Sequence, residues 1–158
     1  MRLSAAAQGV GLAMQRCGWL LVLALFCSMP LKACELAAIP ATELRHSCGC
    51  SYYFPQPAPL PPRIVLQTDL KGLQPVMMQQ GQLASLWGAR PSALLTQQGL
   101  AKTQQFRYQA QAIKLQSRLR PGCEFGKPGC EVLTYLTRIS SYENYQQCEW
   151  SLQGDCGC

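Results

Sequence analysis

Two Cys-Gly-Cys motifs are the residues of this chain whose type and spacing point most directly to chemistry. They lie at residues 48–50 and 156–158. Their four cysteines, Cys48, Cys50, Cys156 and Cys158, would form a tetrahedral site for zinc or Cu(I) if they came together as thiolates. A disulfide closed within one motif would instead make a small, strained ring suited to thiol exchange. The simpler alternative is that all four form structural disulfides, and the compartment in which the protein folds decides between these readings.

The first 33 residues have the layout of a secretory signal peptide. A basic, acid-free stretch through Arg16 is followed by a short apolar core, Gly18–Phe26, and by the small residue Ala33. The uncharged apolar run is about 13 residues long, shorter than the ~20 residues that a helix needs to cross a bilayer. We therefore predict a periplasmic or secreted protein with no transmembrane segment once residues 1–33 are removed.

Export makes disulfides the expected state of the cysteines. Eight of the ten cysteines lie after residue 33, and eight can pair completely. A small exported chain buries a modest core, and each bridge typically adds about 2–4 kcal/mol to stability. Cys123 and Cys130 flank a turn-forming segment with two glycines and a proline, so theirs is the single bridge that we expect first. Cross-bridging the two Cys-Gly-Cys motifs would fasten both chain ends to one edge of the predicted sheet. The predicted disulfide cysteines are Cys34, Cys48, Cys50, Cys123, Cys130, Cys148, Cys156 and Cys158.

Cys34 carries a further alternative. Leu31-Lys32-Ala33-Cys34 resembles the lipobox of bacterial lipoproteins, in which the cysteine becomes the acylated first residue. The resemblance covers four positions and departs at Lys32, where a small or apolar residue is usual. Acylation would leave an odd number of cysteines and so strand one thiol in an oxidising compartment. We therefore predict a soluble protein, with lipid anchoring through Cys34 as the alternative.

The residues available for catalysis argue against an enzyme. His46 is the only histidine, so no histidine pair exists for metal ligation, and any Ser-His-Asp or Cys-His arrangement would have to use it. The sequence contains no Gly-x-Ser-x-Gly elbow and no phosphate-cradling glycine-rich loop. We predict no catalytic residues, no metal and no cofactor.

One long stretch of the chain is basic and free of acids. Between Leu70 and Cys123 there are seven lysines and arginines and no aspartate or glutamate. Without the leader the chain keeps 11 basic and 8 acidic side chains, a net charge of +3. Clustered positive charge concentrates polyanions near a surface, and in an exported protein the polyanion would be an acidic envelope polymer and not a nucleic acid. The alternative is ordinary solvent-facing charge spread around a barrel. The residues predicted to bind anions are Lys102, Arg107, Lys114, Arg118 and Arg120.

Short strands are the elements predicted to position these residues. Residues 34–62 are expected to form an N-terminal cysteine-containing segment and a proline-rich linker, and residues 63–158 a β domain. Runs of β-branched and alternating apolar residues, separated by glycine, proline and serine, mark the strands. We predict strands at residues 63–69, 76–79, 83–87, 106–120, 131–139 and 145–152.

Three local patterns refine this prediction. Gly81 indicates a hairpin between the second and third strands. The apolar alternation shifts phase after Ala112, which predicts a bulge there. Pro91–Gln98, followed by Gly99, has the start and stop residues of one short helix. The predicted fold class is mainly β: a small antiparallel barrel or sandwich of about six strands, stapled by disulfides, with at most one short helix.

Taken together, these features predict an exported, disulfide-rich, non-enzymatic binding or inhibitory protein of the bacterial envelope. Its expected partner is an anionic polymer or another protein. Two alternatives stay open: a metal-handling (zinc or copper) or thiol-redox protein built on the Cys-Gly-Cys motifs, and a structural lipoprotein acylated at Cys34.

Overall fold

The fold is that of a computed structural model, which describes residues 34–95, 100–122, 128, 131–143 and 146–158. The predicted mainly β class is confirmed, but the described residues form eight strands where the sequence predicted six. They are β1 (Gly49–Phe54), β2 (Arg63–Thr68), β3 (Val76–Gln79), β4 (Gln82–Ser85), β5 (Ala101–Tyr108), β6 (Gln111–Leu119), β7 (Leu133–Glu143) and β8 (Gln146–Gly157), with one 3-10 turn at Ala41–Glu43. Over the same residues, no helix is long and apolar enough to cross a membrane.

All eight strands belong to one antiparallel sheet with the order β4-β3-β2-β1-β8-β7-β6-β5. Because neighbouring strands twist relative to each other, a sheet of this size curls on itself. Here the curl brings the chain after β4 to the far edge at β5. The backbone N–H of Trp87 donates to the carbonyl of Arg107 at 2.9 Å, and the N–H of Arg107 donates back to the carbonyl of Trp87 at 2.8 Å. The sheet is a half-barrel, and this single bridge connects the chain just after one edge strand, β4, to the other edge strand, β5.

Side chains alternate between an inner face, which holds the core, and an outer face in contact with water. The alternation is clearest in β6, where every second residue from Ile113 to Leu119 is buried and the residues between them are exposed. This pattern is typical of an antiparallel sheet that packs on one side only. The largest fully buried side chains include Val65, Leu66, Phe106, Ile113, Leu115, Leu133 and Ile139.

β1 lies within the segment that the sequence assigned to an N-terminal region and a linker. It pairs with both β2 and β8, so residues 49–54 are in the middle of the sheet. The proline-rich residues 55–62 join β1 to β2, its antiparallel neighbour, and so form a connection within the β domain. A six-residue strand next to a proline run shows too few alternating positions for its periodicity to be recognised.

The shift of apolar phase after Ala112 has a different cause from the predicted bulge. The chain reverses at Gln109-Ala110, with Gln109 at φ 51°, and Tyr108 pairs with Gln111. The single predicted strand is therefore the hairpin β5–β6. A reversal changes the facing of later residues as an inserted residue does, so alternation alone cannot separate the two. Glutamine is also an uncommon residue at the positive φ of a tight hairpin, so it gave no turn signal.

The hairpin predicted around Gly81 is confirmed. β3 and β4 pair from Val76↔Ser85 to Gln79↔Gln82. The two connecting residues, Gln80 and Gly81, have φ values of 52° and 80°. Two consecutive positive φ values are the requirement of the two-residue turn that best fits the twist of paired strands.

The short helix predicted at Pro91–Gln98 is wrong for residues 91–95, which carry no helical structure. The last three residues of that prediction lie outside the described part of the chain. Residues 91–95 are held instead by long-range contacts: the N–H of Ser92 donates to the carbonyl of Lys71 at 2.8 Å. Isolated helices of this length are marginal in water, so tertiary contacts override the start and stop signals.

Gly154 in β8 lies directly opposite Tyr52 in β1, and both are buried on the inner face. The tyrosine ring packs over the glycine so closely that a Cβ atom on Gly154 would lie 2.6 Å from Cδ1 of Tyr52. A side chain at this position would therefore displace the ring, which fills the space that the glycine leaves.

We predict that Gly154→Ala lowers the free energy of unfolding by about 1–3 kcal/mol, because the added methyl group overpacks the core. Urea unfolding at an unchanged m value measures this change. Ser151→Ala is the matched control on the same strand: Ser151 is exposed, so its replacement should change stability by less than ~0.5 kcal/mol. Equal stabilities of the two variants would contradict the close packing of Tyr52 on Gly154.

Candidate functional site: a basic outer face

The two Cys-Gly-Cys motifs lie side by side where β1 begins and β8 ends. Cys50 and Cys156 are directly opposite in the ladder, with Cα atoms 4.0 Å apart. The bridges run between the motifs and not within either, so neither motif forms the small ring that the thiol-redox alternative requires. The described disulfides are Cys34–Cys148, Cys48–Cys158 and Cys50–Cys156. Cys123 and Cys130, the pair expected first, lie outside the described residues.

Neither the cysteines nor His46 forms a metal site in the described part of the chain. Within those residues, no three histidine, cysteine, aspartate or glutamate side chains are grouped to hold a metal ion. His46 is half-buried, and its Nε2 lies 3.1 Å from the carbonyl oxygen of Gln74. The ring therefore has a local hydrogen-bonding role that anchors the N-terminal segment to the chain before β3.

Four exposed basic side chains share the outer face of the sheet. Arg107 comes from β5, Lys114 and Arg118 from β6, and Arg138 from β7; these four residues are called the basic face below. Gln116 lies at its centre, because Lys114 and Arg118 are two positions away on either side and Arg138 is directly opposite. The pleat and the register of three neighbouring strands therefore assemble this surface.

The spacing within the basic face follows from the same register. Arg107 lies opposite Ala112, which makes it the diagonal neighbour of Lys114. Diagonal neighbours in an antiparallel pair are about 7–8 Å apart, within reach of long side chains. Arginine and lysine at this distance create one positive surface and not a set of separate charges.

The structure separates the five residues predicted to bind anions. Arg107, Lys114 and Arg118 are brought together on the basic face. Arg120 follows β6 at the end of this row and is exposed. Lys102 points the other way, toward the inner face: it is half-buried, its Nζ lies 3.5 Å from the carbonyl oxygen of Ser92, and burial lowers its pKa.

Arg138 is the member of the basic face that was not predicted from the sequence. It lies outside the acid-free stretch, and only the β6–β7 register places it beside the others. Its Nε is 3.0 Å from Oε1 of Glu149, and the two side chains are 63% and 47% exposed. An exposed pair of this kind contributes only about 0–1 kcal/mol, so Arg138 can exchange this partner for another anion.

A second carboxylate, Asp155 on β8, is already engaged by hydroxyl groups. The phenol of Tyr53 donates to its Oδ2 at 2.6 Å, and Thr134 Oγ1 donates to its Oδ1 at 2.9 Å. Burial, and then the hydrogen bond to Asp155, raise the pKa of the Tyr53 phenol. These bonds link β1, β7 and β8 and hold the carboxylate on β8, two strands from β6.

Two exposed aromatic rings flank the Arg107 end of the basic face. The Arg107 guanidinium carbon lies 5.6 Å from the centroid of the Trp87 ring, a cation–π geometry, although the ring is 54% exposed. Tyr142 on β7 lies opposite Ala112 and is 53% exposed. Large aromatic rings left in water beside basic groups are typical of binding surfaces. Tyr142 was not identified from the sequence, since its position also depends on strand register.

A cleft of about 820 Å³ opens along β5 next to the basic face. Its walls come from the chain after β4 and from β5, β6, β7 and the start of β8. Arg90, Arg107 and Lys114 line it, and no acidic residue is among its described lining residues. A smaller cleft of about 500 Å³ is lined by Arg45, His46 and Trp87.

Comparison with known protein families, with curated proteins and with solved structures finds no significant match for this chain. The class of protein is therefore defined by the structure alone. It is an antiparallel half-barrel held by three described disulfides, with a basic outer face beside an open cleft.

Gln104 is a buried polar residue at the cleft. It is 6% exposed, and its Nε2 has no hydrogen-bond partner within the described residues. The amide group lies against Gly72, where a Cβ would collide with Nε2. An unpaired buried amide costs about 1–3 kcal/mol.

We predict that Gln104→Met raises the free energy of unfolding by about 1 kcal/mol, because methionine keeps the shape of the side chain and removes the unpaired amide. Chemical denaturation measures the change. Gln105→Met, at the exposed neighbouring position, is the control and should be neutral within ~0.5 kcal/mol. A loss of stability in Gln104→Met alone would mean that this amide has a partner in the folded protein.

Proposed function

We propose that this protein is an exported, non-enzymatic binding or inhibitory protein that recognises an anionic polymer through its basic face. The observation that carries the proposal is the joint exposure of Arg107, Lys114 and Arg118 on adjacent strands. The sequences of β5 and β6 contain no carboxylate that could neutralise them.

The dimensions of this surface favour a polymer over a small anion. Ala112, which is opposite Arg107, and Arg118 are six positions apart, so the row of charges extends for ~20 Å along β6. Single contacts to exposed charges are weak. A polymer engages several of them at once on a rigid sheet, and each contact after the first forms at a high effective concentration.

The disulfides support a binding scaffold over the metal and thiol-redox alternatives. All four motif cysteines are bonded in pairs, so they offer no thiolate to a metal or to a substrate disulfide. The Cys34–Cys148 bridge likewise supports a soluble protein over a lipoprotein, because the Cys34 sulfur cannot be both a disulfide and an acylated thioether. Disulfides form and persist in oxidising compartments, which supports the periplasm or the extracellular space as its location.

Intact mass tests this choice on protein recovered from its native compartment, before and after reduction and alkylation. We expect an unmodified chain that starts at Cys34 and is alkylated only after reduction, because its thiols are bridged. A mass raised by acyl chains would favour the lipoprotein. Alkylation of Cys48, Cys50, Cys156 or Cys158 before reduction would favour the metal or thiol-redox alternative.

Retention on a heparin column at low salt tests polymer binding directly. We expect the double variant Lys114→Gln/Arg118→Gln to bind about 5- to 30-fold more weakly, since each lost contact is worth about 0.5–1 kcal/mol. The matched control is Arg63→Gln/Lys71→Gln, which removes the same charge from exposed residues in β2 and the loop after it. Binding must also weaken as salt rises. The proposal fails if the wild-type protein is not retained, or if the control variant loses as much affinity as the test variant.

A further inference from the structure

On the side of β5 away from β6, strand pairing begins at Arg107 and does not continue to the preceding residues. Arg107 exchanges both backbone hydrogen bonds with Trp87. In an antiparallel sheet, alternate residues direct their N–H and C=O groups to the same edge. Thr103 and Gln105 therefore point theirs the same way as Arg107. Within the described residues no backbone group pairs with them, and both residues are exposed.

The ladder stops because the chain after Trp87 turns away from β5. Gly88 has a φ of 79°, a left-handed conformation that interrupts an extended strand. The backbone N–H of Ser92 then donates to the carbonyl of Lys71, in the loop after β2, and not to β5. The part of the 820 Å³ cleft that is lined by Gly88, Thr103 and Gln105 lies where the next pairs of the ladder would have formed.

We propose that this edge binds an extended segment of a partner polypeptide, which adds to β5 as a ninth strand and carries acidic residues at every second position. Main-chain hydrogen bonds to Thr103 and Gln105 supply affinity in this mode of recognition, and alternate side chains supply specificity. Successive side chains of the added strand point to opposite faces of the sheet. Every second side chain would therefore stand on the outer face next to Thr103 and Gln105, with Arg107 as the diagonal neighbour and Lys114 one strand farther away. The side chains between them would face the inner side next to Phe106.

The positive charge of the cleft favours an acidic polypeptide as the partner that binds at this edge. The described lining of the cleft contains Arg90, Arg107 and Lys114 and no acidic residue, so an acidic strand is complementary to it. A second copy of this chain is disfavoured, because edge-to-edge pairing of two β5 strands would bring the basic residues of both copies together.

This inference goes beyond polymer binding and is tested separately from it. An anionic polymer contacts the side chains of the basic face and needs no backbone group of β5. A polypeptide strand needs the N–H and C=O groups of Thr103 and Gln105 as well. Loss of a backbone N–H at the free edge of β5 should therefore weaken binding of a polypeptide strand and leave binding of an anionic polymer unchanged.

Amide hydrogen exchange on the wild-type protein is the first experiment. The probe is a blocked decapeptide of alternating valine and glutamate. We expect it to slow exchange at Thr103 and Gln105, while Gln104 and Phe106, which bond to β6, change little. A decapeptide of alternating valine and lysine is the control and should protect neither amide.

The second experiment uses Thr103→Pro, which removes one N–H at the free edge and leaves the β5–β6 bonds in place. Loss of one main-chain bond should weaken binding of the valine–glutamate peptide about tenfold. Thr103→Ala keeps this N–H and should bind like the wild-type protein. Both variants should be retained on heparin as the wild-type protein is, which separates this test from that of polymer binding.

Several outcomes would overturn the inference. They are absent protection by the acidic peptide, equal protection by the lysine peptide, or protection of the same amides by heparin. Protection that appears without peptide as protein concentration rises would assign the edge to a second copy of the chain. If Thr103→Pro does not fold, as circular dichroism would show, the exchange experiment decides alone.

Discussion

The pairing of the first strand with the last is the interaction on which the structure depends. β1 to β4 and β5 to β8 form two meanders of chain neighbours, and the β1–β8 ladder joins them. Residues 106 positions apart meet at Cys50–Cys156, and closing so long a loop carries an entropic cost. In the chain-entropy account, a disulfide across a loop of about 100 residues offsets ~4–5 kcal/mol of this cost. Two such bridges at one seam therefore fix the strand register there.

The β1–β8 ladder joins the two meanders, and the basic face and the free edge of β5 both lie on the second one, β5 to β8. The inner face of the half-barrel holds the core, so among the described residues it is chiefly the outer side chains and the free edge of β5 that are open to a partner. On the outer face, Asp155 lies within the β1–β8 ladder, whereas Glu149 lies farther along β8, where it pairs with Arg138. Within the described residues, the basic side chains of β5 and β6 have no salt-bridge partner. The strands that carry most of the positive charge therefore carry no carboxylate, which favours binding of anions.

Much of the fold follows from local patterns, and each prediction that was wrong has a specific physical cause. The strands with long alternation were predicted, whereas β1 was too short and the turn at Gln109 had no glycine or asparagine. The inward direction of Lys102 was available from the sequence: it shares the parity of Gln104 and Phe106, both buried. Counting back from a buried aromatic residue would have removed it from the anion-binding set. Arg138 could not be found in this way, because no local pattern relates β7 to β6.

The sequence by itself determined the alternation of inner and outer residues, the β3–β4 hairpin and the presence of a basic, acid-free stretch. These are properties of consecutive residues, set by the two-residue repeat of a strand and by turn sterics. Tertiary structure alone decided which strands are neighbours and which charges share a face. It also decided which cysteines form the described bridges, out of the 105 ways in which eight cysteines can pair. The free edge of β5 was likewise decided by tertiary structure. Each depends on contacts between residues tens of positions apart, and such contacts are fixed by the packing of one buried face and by register, which no short segment encodes.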